Sequence, residues 1–106
     1  MVLSGWRISV IKSFADDATE DIYHGINSKK SHKRLHPDLH SKACRKFDMI
    51  DAALSLNDLK EPPGNHLELL RGDLRGKHSI RINDQYRIVF RWSDLGVEEV
   101  EIIDYH

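Results

Sequence analysis

The stretch 78–106, HSIRINDQYRIVFRWSDLGVEEVEIIDYH, limits what this chain can fold into more than any other. Its apolar side chains fall on alternate positions: Ile80 and Ile82, then Tyr86, Ile88, Phe90 and Trp92. Successive side chains of a strand point to opposite faces, so this period belongs to half-buried β-structure. Asn83-Asp84 separates two alternating runs and marks a hairpin, and Ser93 to Gly96 marks the next. Three antiparallel strands running to the last residue are expected. Arg81, Arg87 and Arg91 occupy the positions between the apolar ones. One face of the sheet would then be greasy, and the other would be open and carry guanidinium groups. The planar fork of Arg matches phosphate oxygens, so such a face suits a phosphate-rich partner. The competing reading is the solvated face of an ordinary antiparallel sheet.

The chain has 106 residues, which points to one domain over 1–106. A hydrophobic fraction of 40% against 31% charged fits a globular chain with its own core. Cys44 is the sole cysteine, so no intramolecular disulfide can form, which fits a reducing compartment. No apolar run approaches the ~18 residues of a membrane span, and the N-terminus lacks a secretory apolar region. A cytoplasmic protein with no membrane partner is the expectation. The formal net charge is −1, but it is unevenly spread. Lys29, Lys30, Lys33, Arg34, Lys42, Arg45 and Lys46 face Asp38 alone, while Glu98, Glu99, Glu101 and Asp104 crowd the far end. That asymmetry can steer a polyanion locally.

Read in order, Trp6 to Phe14 is rich in β-formers and predicts a strand. Asp16 or Asp17 can cap a helix through Tyr23, which Gly25 can end. Asn27 to His36 is polar and basic without a period and predicts a loop. Pro37 suits a first helical turn, after which Leu39, Ala43, Phe47, Ile50 and Leu54 recur at helical spacing. Phe47 and Ile50 should pack on the greasy face. Ser55 can cap a short turn over Leu56 to Leu59, and Glu61-Pro62-Pro63-Gly64-Asn65 breaks the chain. His66 to Leu70 predicts a short strand and Arg71-Gly72-Asp73 a turn. The sum is an α+β domain: an N-terminal strand and two helices packed on one face of a mainly antiparallel sheet.

Seven histidines raise the question of a metal. His32, His36 and His40 are four apart, but Pro37 disfavours helix at His36, and no HExxH or CxxC pattern occurs. No metal site is expected. Cys44 has no identifiable cationic surroundings and reads as a small hydrophobe. The ending Asp104-Tyr105-His106 places a carboxylate, a phenol and an imidazole on consecutive residues. By alternation Tyr105 shares a face with Glu99, Glu101 and Ile103. Beside arginines this supplies what RNA cleavage needs: a base for the 2′-hydroxyl, cations for the pentacovalent phosphate, and an acid for the leaving 5′-oxygen. The competing reading is a frayed polar terminus.

Pro63-Gly64-Asn65, Leu69-Leu70-Arg71-Gly72, the run SIRINDQYRIVFRW and the ending VEEVEIIDYH together resemble the HigB family. These are RelE-superfamily toxins of type II toxin–antitoxin systems, also called plasmid maintenance killer proteins. The resemblance covers Ile11 to His106, leaving residues 1–10 as either an N-terminal extension or a mis-called start. It implies a compact RelE-like fold and ribosome-dependent, metal-independent cleavage of translated mRNA without a cofactor. It also implies a helix-turn-helix, HigA-like antitoxin, through whose complex operator DNA is reached. The catalytic positions it implies are Arg81, Arg87, Tyr105 and His106, with Asp104 nearby. Where some members carry a histidine before the LKGD-like turn, this chain has Glu68, with His66 two residues earlier; His66, Glu68 and His78 are thus further candidates. Lys29, Lys30, Lys33, Arg34, Arg45, Lys46, Arg71, Lys77 and Arg91 are the expected RNA-binding cations. The alternative is a toxin-like fold without cleavage, acting as antitoxin co-repressor or RNA-binding module.

Overall fold

The structure, a computed structural model, describes residues 10–105. Four strands, β1 (Glu68–Leu69), β2 (His78–Arg81), β3 (Tyr86–Ser93) and β4 (Gly96–Asp104), form one sheet in the order β1-β2-β3-β4. Every neighbouring pair is antiparallel, and the two hairpin signals account for β2–β3 and β3–β4. Three helices, α1 (Asp17–Tyr23), α2 (Lys29–Arg34) and α3 (His40–Ala52), precede the sheet. Among the described residues no helix is long and apolar enough to cross a membrane.

The greasy face is the core. Ile80, Ile88, Phe90, Val97, Val100 and Ile102 are buried against Ile22, Leu35, Ala43, Phe47 and Ile50 from the helical layer. Ala43, Phe47 and Ile50 recur at i, i+4 and i+7, which sets one side of α3 on the sheet. Truncating a buried Phe to Ala costs roughly 3–5 kcal/mol, so Phe47 alone matters greatly to a chain this small. Leu54 was expected to continue the stripe but is 94% exposed. The helix ends before it, at the extended Ala53 (ψ 133°), so the period no longer aims its side chain inward.

Three local expectations are corrected. The predicted loop 27–36 contains α2. Ser28 caps it, accepting from the Ser31 amide while the Ser31 hydroxyl accepts from the Ser28 amide. A six-residue helix that buries only Ser31 has no apolar stripe to announce it. The N-terminal strand is, in its described part, an extended segment joined to β4 by two isolated parallel bridges, Ile11 to Val97 and Phe14 to Val100. Lys12 N–H donates to the Val97 carbonyl at 2.7 Å, and Val97 N–H returns to the Val10 carbonyl at 2.7 Å. Trp6 to Ser9 lie outside the described residues. Gly96 (φ 132°) permits this approach, since a Cβ there would sit 2.6 Å from the Val10 oxygen.

The third correction is a bulge. The β3–β4 register shifts by one between Val89 and Arg91, and Glu99 takes φ 56°. Val97 and Val100 are both buried although three positions apart. Strict alternation from Val97 would drive the Glu99 carboxylate into the core; the extra residue turns it out instead.

Candidate active site

Arg87 lies near the start of β3, opposite Arg81 of β2, so their side chains share the face away from the helices. The expected open face is not open there: Arg87 is only 8% exposed, and Ser79 and Val89 beside it are fully buried. The Arg87 Nε donates to Ser79 Oγ at 2.7 Å. Its Nη2 donates to the carbonyls of His66 and, at 3.3 Å, Ser79. The Tyr105 ring lies over the guanidinium, with its centroid 5.3 Å from Cζ. Burial pulls the Arg87 pKa below its ordinary value; Glu68 and Tyr105 oppose that shift and Arg81 adds to it. A guanidinium is nonetheless too basic to lose its proton at neutral pH.

The Glu68 carboxylate closes the group. Its Oε1 accepts from the Tyr105 hydroxyl at 3.2 Å and lies 3.8 Å from Arg87 Nη2. Tyr105 is held by its own backbone, whose N–H donates to the Gln85 carbonyl at 2.7 Å. Arg81 is paired with Asp84 from the hairpin turn. Together His66, Glu68, Arg81, Asp84, Arg87 and Tyr105 line an open cleft of about 250 Å³. Two guanidinium groups, two carboxylates, an imidazole and a phenol therefore meet at one place. That set can hold a phosphodiester and move a proton beside it.

The remaining sequence candidates divide. His66 is at the cleft, in the left-handed region (φ 46°). Asp104 is exposed, does not line the cleft, and accepts from Gln85 Nε2 at 2.9 Å. His106 lies outside the described residues. His78 does not join the cleft: it alternates with Ser79 and Arg81, stacks on Phe90 at 6.4 Å, and has a buried Nδ1 without a hydrogen-bond partner. Among the cations expected on RNA, Lys29, Lys33, Arg45 and Arg71 are exposed and in no ion pair among the described residues. The others are engaged within the protein. Lys46 is buried, its Nζ donating to Asn65 Oδ1 at 2.6 Å. Arg34 binds Asp16 at 2.8 Å and the Ile102 carbonyl at 3.0 Å. Lys30 lies between Asp17 and Asp21, at 3.6 and 3.8 Å. Lys77 and Arg91 both reach Glu99 at 3.1 Å. Sequence reasoning missed Ser79, Asp84 and Asn65. The first two stand next to named arginines, and Asn65 was read only as part of a chain break.

The model of the HigB-like toxins, RelE-like toxins of the type II toxin–antitoxin system HigB, matches residues 12–106. This chain belongs to that family. The HigB-like match takes in every residue of the cleft. Toxin HigB-1 of Vibrio cholerae serotype O1 is 39% identical over 93 residues, covering 88% of this chain and 94% of the relative. An uncharacterized protein of Haemophilus influenzae is 37% identical over 81 residues, covering 76% and 77%. Among solved structures, the YoeB–YefM complex from Staphylococcus aureus superposes with a TM-score of 0.57 at 21% identity, over 91% of this chain and 97% of that one. The shared architecture is the RelE-like toxin fold: a compact mix of helices and a four-stranded antiparallel sheet. This HigB-like chain is thus a type II toxin.

Proposed function

We propose that this toxin is a metal-independent endoribonuclease that cuts mRNA on the translating ribosome and so stops translation. The observation that carries the reading is Arg87, whose guanidinium is buried at the floor of an open cleft. A buried cation is costly unless hydrogen bonds hold it; Ser79, His66 and Tyr105 hold this one at the cleft, where it offers a fixed positive charge to a phosphate. Arg81 supplies a second guanidinium on the same face once Asp84 is displaced. Glu68 already accepts a hydrogen bond from Tyr105, and with His106 they form the proton-transfer set for the 2′-hydroxyl and the leaving 5′-oxygen. Asp104 orients the chain end through Gln85.

YoeB is solved with YefM, and a helix-turn-helix, HigA-like antitoxin is the corresponding partner for this chain. It would neutralise the toxin and bring the pair to operator DNA. The ribosome and translated mRNA place the activity in the cytoplasm. The test is cell-free translation with primer extension. New 5′ ends within the reading frame are expected with the intact chain and not with a chain lacking His106 or carrying Arg87→Ala. Uncut mRNA from a folded, antitoxin-binding chain would leave a binding module in place of an enzyme.

A further inference from the structure

Asn65 is fully buried and does not line the cleft. Its Nδ2 donates to the carbonyls of Leu59 at 3.2 Å and Glu61 at 3.3 Å, and its Oδ1 accepts from Lys46 on α3. One amide thus ties the helical layer to the loop that leads into the cleft. The next residue is His66, whose left-handed backbone aims the carbonyl that Arg87 Nη2 meets. A non-glycine residue holds that conformation only when its surroundings impose it. Lys46 is itself unusual, since its buried ammonium is hydrogen-bonded to a neutral amide and makes no ion pair among the described residues. Burial lowers its pKa, and Lys42, Arg45 and Arg81 add repulsion, so its place in the fold is not explained by charge pairing.

We infer that Asn65 and Lys46 are positioning residues of the cleft: they hold His66 so that its carbonyl fixes the Arg87 guanidinium beneath Tyr105. This rests on reading Arg87 as the phosphate-binding group of the endoribonuclease. Neither residue touches the reacting atoms; both act through the carbonyl of His66.

The experiment uses the full chain with ¹⁵N-labelled arginine. It follows solvent exchange of the Arg87 Nε–H alongside mRNA cleavage kinetics on ribosomes. In the parent, that proton is bonded to the buried Ser79 Oγ, so slow exchange is the expected result. Asn65→Ala and Lys46→Met should speed its exchange and lower kcat about 10- to 10²-fold with little change in KM, as when a transition-state group moves by about an ångström. Lys46→Arg keeps a donor for Asn65 Oδ1 and should restore both readouts. Ile50→Val, a buried change on the same helix away from the cleft, should lower the unfolding midpoint and move neither. If Asn65→Ala does not fold, Lys46→Met carries the comparison. Parental Arg87 exchange and kcat in Lys46→Met, or equal losses in Ile50→Val, overturn the positioning role. A parent chain that protects Arg87 but cuts no mRNA overturns the endoribonuclease reading instead, and the exchange comparison then still decides the positioning role.

Discussion

Arg87 serves the fold and the chemistry together, which changes what its removal should do. A guanidinium on an open face could be cut back to Ala without structural cost. This one leaves Ser79 Oγ and the His66 carbonyl unpaired, so Arg87→Ala should destabilise by about 1–3 kcal/mol. Cleavage should fall about 10²-fold or more, the size of losing one transition-state charge stabiliser. Urea unfolding beside the cleavage assay checks both, and a parental unfolding midpoint would contradict the buried hydrogen bonds. His78 makes a separate prediction. Burial lowers its pKa from 6.5, so near and below that pH the unfolded chain binds the proton that the folded chain excludes. Stability from this group is therefore present above about pH 6.5 and is lost as pH falls below it, with a slope of at most ~1.4 kcal/mol per pH unit. His78→Gln should flatten the fall in urea midpoint between pH 7.5 and 5.5; an unchanged slope would assign it to other histidines. At this scale the sequence was legible where period two applies. Arg81 and Arg87 share a face because one residue in two does, and the same parity brings Tyr105 to them. The burial of Arg87 and its contact with Glu68 depend on where the loop 61–66 lies. Buried hydrogen bonds of Asn65 decide that, and periodicity carries no trace of them.

Elements were legible in proportion to their apolar stripe. α3 and the two hairpins carry long periodic patterns, and each forms within its pattern, α3 stopping short of Leu54. α2 carries none, and its capping box at Ser28 and Ser31 was the available signal within a run that otherwise reads as charged loop. The bulge in β4 was also hidden, since Val97 and Val100 look like an irregular spacing until the register is known. That extra residue has a measurable role. Glu99 neutralises Lys77 and Arg91, whose hydrogen bonds hold its carboxyl below the usual carboxylate range. Glu99→Gln should release both cations onto the sheet face. Affinity for a short single-stranded RNA should rise, and its dependence on salt should steepen by about one phosphate contact or more. An unchanged salt slope would mean that Lys77 and Arg91 do not meet the RNA.

For the whole molecule, net charge says little and distribution says more. With Lys30, Arg34 and Lys46 engaged internally, the exposed cations on this side are Lys29, Lys33, Lys42 and Arg45. Replacing these four with Ala should weaken ribosome pelleting and flatten its salt dependence with little change in thermal stability, because exposed charges add little to folding. Pelleting that keeps the parental salt slope would show them to be solvated surface. The chain's opening has a different consequence, which concerns its own copies. A sheet edge is a template on which another molecule can add a strand. β1 offers only two residues on one edge, while the other edge would be the nine-residue β4 were residues 10–15 not hydrogen-bonded along it. Lys12→Pro removes the N–H that meets the Val97 carbonyl yet leaves the Ile11 and Phe14 side chains in place. Sedimentation velocity should then show self-association that rises with concentration more steeply than the parent's. A variant that stays single would leave that segment a purely packing role. If it associates, those few residues are what keeps two toxins from extending one another's sheet, a task unrelated to RNA that a version lacking residues 10–15 would lose.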